Sequence, residues 1–102
     1  MAKLVVLYKR PADVEAFNSY YFSTHLPLAK QMPFVQRFDV SEGPVMTPSG
    51  PSDVHLVAVM HFRTLADLHA SFASPEGEAA GADLASFAQA GIERYFFETA
   101  EQ

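Results

Sequence analysis

The chain has 102 residues, no cysteine and a formal net charge of −5. This length supports one domain with a single core, and the absence of cysteine excludes disulfides and thiolate chemistry. The seven Lys and Arg residues are dispersed, whereas a nucleic-acid interface needs a basic patch. No stretch approaches the roughly 20 apolar residues that span a bilayer, and no signal peptide opens the chain. We therefore expect a cytoplasmic protein that binds neither nucleic acid nor membranes.

The first half of the chain predicts a strand, a helix and a second strand. Lys3 to Tyr8 is rich in β-branched and aromatic residues, which is typical of a buried strand. Asp13 is a suitable N-cap for a helix whose apolar positions recur from Val14 to Leu28 and which runs to about Gln31. The alternation of apolar and polar residues from Phe34 to Val40 predicts the second strand.

A proline interrupts the predicted helix. Proline disfavours the α conformation in the residue before it, and inside a helix it removes a hydrogen bond, at a cost of about 3 kcal/mol. We therefore expect the helix to break or re-cap near Thr24, with Pro27 in the first turn of a second piece. His25 would then lie at a kink, either as an acid, base or hydrogen-bond donor of a pocket or simply as a cap for the kink.

A turn-rich connection and a strong strand follow. The glycines and prolines between Ser41 and Asp53 predict an extended hairpin loop. From His55 to Phe62 both alternating faces are largely apolar, and a strand of this type is covered on both sides.

Two helices and a last strand complete the prediction. Thr64 is a good N-cap for a short helix. Ser74, followed by proline at the first helical position, begins a longer helix that we expect to reach Ala90, with Gly91 as its C-cap. Ile92 to Thr99 predicts the last strand.

The element order β-α-β-β-α-β predicts a ferredoxin-like α+β fold for residues 1–102. This fold is an antiparallel four-stranded sheet with helices on one face. The other face would expose either Val57 and Val59 or Leu56 and Met60, a patch that monomers seldom tolerate. We therefore expect a homodimer in which one sheet packs against the other.

Several stretches also resemble a known family. Together they are similar to the EthD family of dimeric α+β-barrel proteins: Lys3 to Pro11, Phe17, Tyr20-Tyr21 and Thr24 to Ala29 in the first half, then Ser74 to Ala79, Ala82-Asp83-Leu84 and Phe87. The resemblance extends from Lys3 to about Phe97, and Glu78 stands where the family typically has glutamine.

The resemblance implies that the two sheets of a homodimer close into a barrel, with a small pocket between the sheet and helices of each subunit. The family is named for a protein linked to bacterial ether degradation. Its wider superfamily includes monooxygenases without metal or flavin, lactone isomerases, polyketide cyclases and haem-degrading enzymes. A shared fold does not transfer chemistry from one protein to another.

By the family motif, His25 faces this pocket, and Tyr20 or Tyr21 can point to the same side from one turn earlier. Histidine as base and tyrosine as oxyanion donor suit proton transfer beside a carbonyl or an enol. We take His25 and Tyr21 as the catalytic pair. The predicted substrate-binding residues are Tyr8, Phe17, Tyr20, Leu28, His61 and Phe87.

The other histidines predict no metal site. His55 and His61 are about 20 Å apart along one strand, so they cannot share a metal ion. One of them, preferably His61, could join His25 in the pocket, but a plain core or interface histidine is the favoured interpretation. His-x-x-x-His spacing is absent. We expect Asp83 and Glu78 to be solvated or capping charges.

No cofactor is expected either. The two glycines of the second helical region, Gly77 and Gly81, do not follow a strand, so a phosphate loop for nicotinamide or flavin has no support. Haem could bind through a histidine, but the absence of Trp and the few cations available for its propionates weaken that possibility.

Three functions are compatible with these features. The first is cofactor-independent acid/base catalysis on a small apolar organic compound in bacterial catabolism: isomerisation, cyclisation, decarboxylation or oxygenation. The second is a non-catalytic dimer that binds or delivers a hydrophobic metabolite of a degradation pathway. The third is a purely structural dimer, which the lack of a void beside His25 would favour.

Overall fold

A computed structural model describes all residues from Met1 to Gln102. Its strands are β1 (Ala2–Lys9), β2 (Val35–Val40), β3 (Met46–Thr47), β4 (Gly50–Pro51), β5 (Val54–Phe62) and β6 (Ile92–Glu98). Its α-helices are α1 (Val14–Tyr20), α2 (Leu26–Ala29), α3 (Leu65–Ala73) and α4 (Pro75–Asp83). None of these helices has the length and hydropathy needed to cross a membrane.

The main sheet has four antiparallel strands in the order β2-β5-β1-β6. This order, with the helices as connections, confirms the predicted ferredoxin-like fold. The two short strands β3 and β4 pair with each other in a separate hairpin. They lie in the turn-rich connection, where an extended hairpin loop was expected.

One face of the sheet is covered by the helices. The buried residues of the two central strands alternate along the sequence, as expected for strands, and comprise Ala2, Leu4, Val6 and Tyr8 of β1 and Leu56, Ala58, Met60 and Phe62 of β5. The alternation therefore turns Leu56 and Met60 inward and Val57 and Val59 outward.

The other face, which we call the open sheet face, carries Val5, Leu7, Val57, Val59, Tyr95 and Phe97. Val5 is paired with Val59 on one side and with Tyr95 on the other, so apolar side chains form a continuous band across three strands. Tyr95 is 52% exposed and Phe97 is 45% exposed in the single chain.

All three predicted N-caps are confirmed. The side chains of Asp13, Thr64 and Ser74 each accept a hydrogen bond, at 3.0 Å, from a backbone N–H three residues later. These bonds satisfy donors that would otherwise be unpaired at the start of α1, α3 and α4.

The predicted break near Thr24 is wrong, because the helix widens instead of ending. Residues Tyr21–His25 form a π-helical segment that joins α1 to α2, and the N–H of Leu26 bonds to the carbonyl of Tyr21, five residues back. Pro27 has no N–H to donate, and it lies in the first turn of α2, which confirms its predicted position in a second helical piece. Such π-helical turns occur frequently at functional sites.

The second helical region ends earlier than predicted. Helix α4 stops at Asp83 and a 3₁₀ turn covers Leu84–Ser86, so the helix does not reach Ala90. Phe87 leaves the helical conformation, with φ −145°, and its ring packs among the core aromatics. Gly91 has φ +123°, and its carbonyl pairs with the N–H of Lys9, so it leads into β6 rather than capping a helix.

Gly77 and Gly81 lie one turn apart in α4, and we expect the same substitution to have opposite effects on them. A Cβ at position 77 would overlap the Ser71 carbonyl oxygen, whereas one at position 81 would meet no atom within 4 Å. Gly77→Ala should lower the free energy of unfolding by about 1–3 kcal/mol. Gly81→Ala should raise it by up to about 1 kcal/mol, because alanine favours helices. Urea unfolding of both variants tests this, and effects of equal sign would contradict it.

Candidate functional site

A cavity of about 290 Å³ lies between the sheet and the helices. Its size is near the lower end of small-molecule pockets, which range over about 300–1,000 Å³. Twelve of its sixteen lining residues are hydrophobic, with the two tyrosines counted among them, and the other four are His25, Gly77, Gly81 and Arg94. The central strands contribute Leu4, Val6, Ala58 and Met60, and the polar side chains that line it are Tyr8, Tyr21, His25 and Arg94.

His25 and Asp83 form a hydrogen-bonded pair at the cavity wall. His25 Nδ1 is 2.9 Å from Asp83 Oδ2, and the two side chains are only 6% and 14% exposed. The carboxylate oxygen accepts, so the proton of a neutral His25 lies on Nδ1. Nε2 then carries the lone pair, and the nearest polar partner of Nε2 is the Tyr8 hydroxyl, 3.5 Å away.

Asp83 is held from a second side by Tyr20. The Tyr20 hydroxyl donates to Asp83 Oδ1 over 2.6 Å. Burial raises the pKa of the Asp83 carboxyl, but the hydrogen bonds from Tyr20 and His25 outweigh burial, and this pKa lies below its ordinary value. Asp83 is therefore ionised at neutral pH and can stabilise a positive charge on His25.

Tyr8 and Tyr21 keep their protons at neutral pH. Burial is the main cause that raises the pKa of each hydroxyl well above its ordinary value, because an ionised phenol is poorly solvated in the interior. The two rings meet edge to face, with centroids 5.5 Å apart. Both residues line the cavity as neutral phenols, which can donate hydrogen bonds.

Of the six predicted substrate-binding residues, only Tyr8 lines the cavity; the five that do not are Phe17, Tyr20, Leu28, His61 and Phe87. Phe17 and Phe87 belong to an aromatic cluster that packs against His25 outside the cavity. The ring centroids of Phe17 and Phe87 are 5.4 Å apart, and those of Phe87 and His25 are 4.7 Å apart. Leu28 is half-buried, and its neighbour Ala29 lines the cavity instead. Tyr20 is also outside the cavity and acts on Asp83.

The placement of His61 with His25 is wrong. Its neighbours Met60 and Phe62 face the helices, so strand alternation turns His61 to the opposite side of the sheet. There its Nε2 lies 3.1 Å from Asp39 Oδ2. His55 bonds to Asn18 and also does not line the cavity.

Sequence reasoning missed two charged residues of the site. Asp83 was expected to be solvated or capping, yet it is the hydrogen-bond partner of His25. Arg94 was counted only among dispersed cations, yet it lines the cavity. A signal for Arg94 exists, because Ile92, Arg94 and Phe96 share one face of β6. No three His, Cys, Asp or Glu side chains are grouped so that they could hold a metal ion.

The stabilising effect of Asp83 should depend on pH. Its folded pKa lies below the ordinary 3.8, so its contribution is complete above that value and is lost as the pH falls through the folded pKa. Asp83→Asn should therefore be less stable than the wild type at neutral pH, and the difference should shrink as the pH falls below about 4. Urea unfolding of both proteins across this range measures it. A difference that is constant with pH would contradict the assignment.

The sheet order and the helix-covered cavity define a ferredoxin-like α+β protein with space for a small molecule beside a His–Asp pair. Residues 9–91 match the EthD domain family. The chain therefore belongs to the EthD family, as its sequence resemblance indicates.

Two relatives support this membership across the whole chain. An uncharacterized 11.0 kDa protein from the thcB–thcC intergenic region of Rhodococcus erythropolis is 38% identical over 96 residues, which are 94% of this chain and 92% of that protein. An EthD family protein of Bacillus halodurans is 31% identical, with a TM-score of 0.89 over 98% of this chain and 99% of that one. A more distant structure shares the fold alone: SnoaB, a cofactor-independent oxygenase from Streptomyces nogalater, is 14% identical, with a TM-score of 0.68 over 99% and 94% of the two chains.

Proposed function

We propose that this protein catalyses proton transfer at a carbon atom next to a carbonyl group, in a small and largely apolar organic compound. The observation that carries the proposal is the His25–Asp83 hydrogen bond of 2.9 Å at the wall of an apolar cavity. An imidazole held in this way has an unprotonated Nε2 on one side, with only the long 3.5 Å contact to the Tyr8 hydroxyl, and a carboxylate to stabilise its protonated form on the other.

In the proposed step, Nε2 of His25 takes the proton and the carbon–hydrogen bond breaks. The electron pair moves into the carbon skeleton, and the carbonyl oxygen becomes the oxyanion of an enolate. Tyr21 and Tyr8 are neutral donors on the same cavity wall, and they would stabilise this oxyanion. Asp83 would balance the charge of the protonated His25 and act as a positioning residue.

This step can begin isomerisation, cyclisation or oxygenation, but not decarboxylation, which breaks a carbon–carbon bond instead. Isomerisation and cyclisation can both start from an enolate, which requires a base and an oxyanion donor but no bound cofactor. Oxygenation would need dioxygen as a second substrate. The cofactor-independent oxygenase that shares the fold supports the idea that such a framework can work without a cofactor.

Deuterium exchange tests the proposal without knowledge of the natural substrate. The purified protein is incubated in D2O with 2-indanone, a compact ketone with acidic hydrogens beside its carbonyl, and exchange is followed by proton NMR. We expect exchange well above the rate in buffer alone. A rate equal to that of buffer, with 2-indanone shown by chemical-shift changes to occupy the cavity, would contradict the proposal.

A non-catalytic binding protein is the second candidate, because twelve of the sixteen lining residues are hydrophobic and would bind an apolar metabolite without changing it. Native mass spectrometry of the protein purified from its own host would detect a carried ligand. An unaltered organic ligand together with no exchange activity would favour this candidate. A purely structural role is disfavoured by the void beside His25.

We also propose that the protein is a homodimer formed through the open sheet face. The band of Val5, Leu7, Val57, Val59, Tyr95 and Phe97 is apolar and accessible in the single chain, and a second copy of this face would cover it. The same mass measurement reports this assembly, since it distinguishes the mass of one chain from that of two.

A further inference from the structure

The cavity contains one cation that has no partner in the protein. Arg94 lines the cavity beside its apolar walls, and it lies in β6 opposite Val6 of β1. It forms no ion pair, whereas Lys9, Arg37 and Arg63 each have a carboxylate partner within 4.0 Å. The adjacent acid in the chain, Glu93, pairs with Lys9 instead.

Arg94 is a charged residue on the side of β6 that faces the helices. Its neighbours on the same side of β6 are Ile92 and Phe96, and Phe96 packs against the rings of Phe72 and His69. Arg94 is exposed although it lines the cavity, which places it at the mouth of the cavity rather than in its depth. Its charge also acts on Tyr8, where it partly offsets the burial that raises the pKa of that hydroxyl.

We infer that the cavity binds an organic anion, a carboxylate with a compact apolar body, and that Arg94 is the residue that selects the charged group. The inference rests on the proposed function, since it names the class of substrate for the same cavity. The apolar body would lie against Leu4, Met60 and Ala80, and the carboxylate would lie at the mouth. A guanidinium matches a carboxylate through two parallel N–H donors.

The overall charge of the protein makes this inference testable. The chain carries a formal charge of −5, so an anion is repelled at long range. A preference for an acid over its neutral amide must therefore come from a local cation. Arg94 is the only Lys or Arg residue that lines the cavity.

The experiment compares phenylacetate with phenylacetamide, which have nearly the same shape and differ in charge near neutral pH. Binding is measured by protein NMR titration of the full chain. We expect the wild type to bind phenylacetate at least about tenfold more tightly than the amide. Arg94→Gln should remove that preference, and Arg94→Lys should retain part of it. The matched control, Arg63→Gln, removes the same charge from the exposed bend between β5 and α3 and should leave the preference unchanged.

Equal binding of acid and amide to the wild type would overturn the inference, as would a preference that survives Arg94→Gln. The inference would also fail for acids of this size if neither phenylacetate nor phenylacetamide shifted the resonances of the cavity residues. If Arg94 instead pairs with a carboxylate of a second subunit, Arg94→Gln would weaken the dimer. Phenylacetate would then bind the wild type no more tightly than phenylacetamide, which would overturn the inference. These results are separate from the exchange test: exchange without acid preference leaves the proposed catalysis standing, and acid preference without exchange leaves a binding protein for organic acids.

Discussion

Replacing His25 with glutamine is expected to lower the rate of deuterium exchange into 2-indanone by about 10²–10⁴-fold, the usual contribution of a general base. Glutamine has a similar reach, and its amide can still donate to Asp83, so the buried carboxylate keeps a partner. The amide has no basic lone pair to take the place of Nε2. The rate should be measured by proton NMR in D2O at several ketone concentrations, which separates a fall in kcat from a rise in KM.

The matched control is His69→Gln, which removes a histidine from the exposed side of α3. Its exchange rate should equal that of the wild type. Asp83→Asn should also slow exchange, because a neutral amide cannot balance the charge of protonated His25. If folded His25→Gln exchanges the ketone at the wild-type rate, His25 is not the base and the proposed function fails.

Local sequence patterns were sufficient to predict most of the secondary structure. Strand alternation and helix N-caps are set by residues close together in the chain, and the strands and the caps at Asp13, Thr64 and Ser74 followed the prediction. The helix around Pro27 did not. A proline predicts a disturbed hydrogen-bond ladder, but whether the helix breaks or widens depends on the packing of Tyr21 and His25 in the core.

The site was harder to predict because its partners are distant in sequence. Asp83 is 58 positions from His25, and no local pattern reports that contact. The choice of His61 failed for a related reason. The sequence shows which residues of that strand share a face. Because both faces are largely apolar, it does not show which of them meets the helices.

Introducing a carboxylate on the open sheet face is expected to separate the proposed dimer into monomers. Val59 is half-buried at the centre of that face and is paired with Val5. In a symmetric dimer Val59→Asp would bury two carboxylates in one apolar interface, and burial of each unpaired ion costs several kcal/mol. The dissociation constant should rise by at least about a thousandfold. Sedimentation velocity over a range of protein concentrations measures this change.

The control is Ala66→Asp, which adds the same charge at an exposed position of α3 and should leave the assembly unchanged. The Val59 side chain points away from the helices, so Val59→Asp should keep the fold, which circular dichroism can verify. If it unfolds, Val59→Thr offers a milder polar change and should weaken the dimer to a smaller extent. A dimeric Val59→Asp protein would show that the subunits meet elsewhere. A wild type that stays monomeric at all concentrations would contradict the dimer, and the apolar band would then need a different partner.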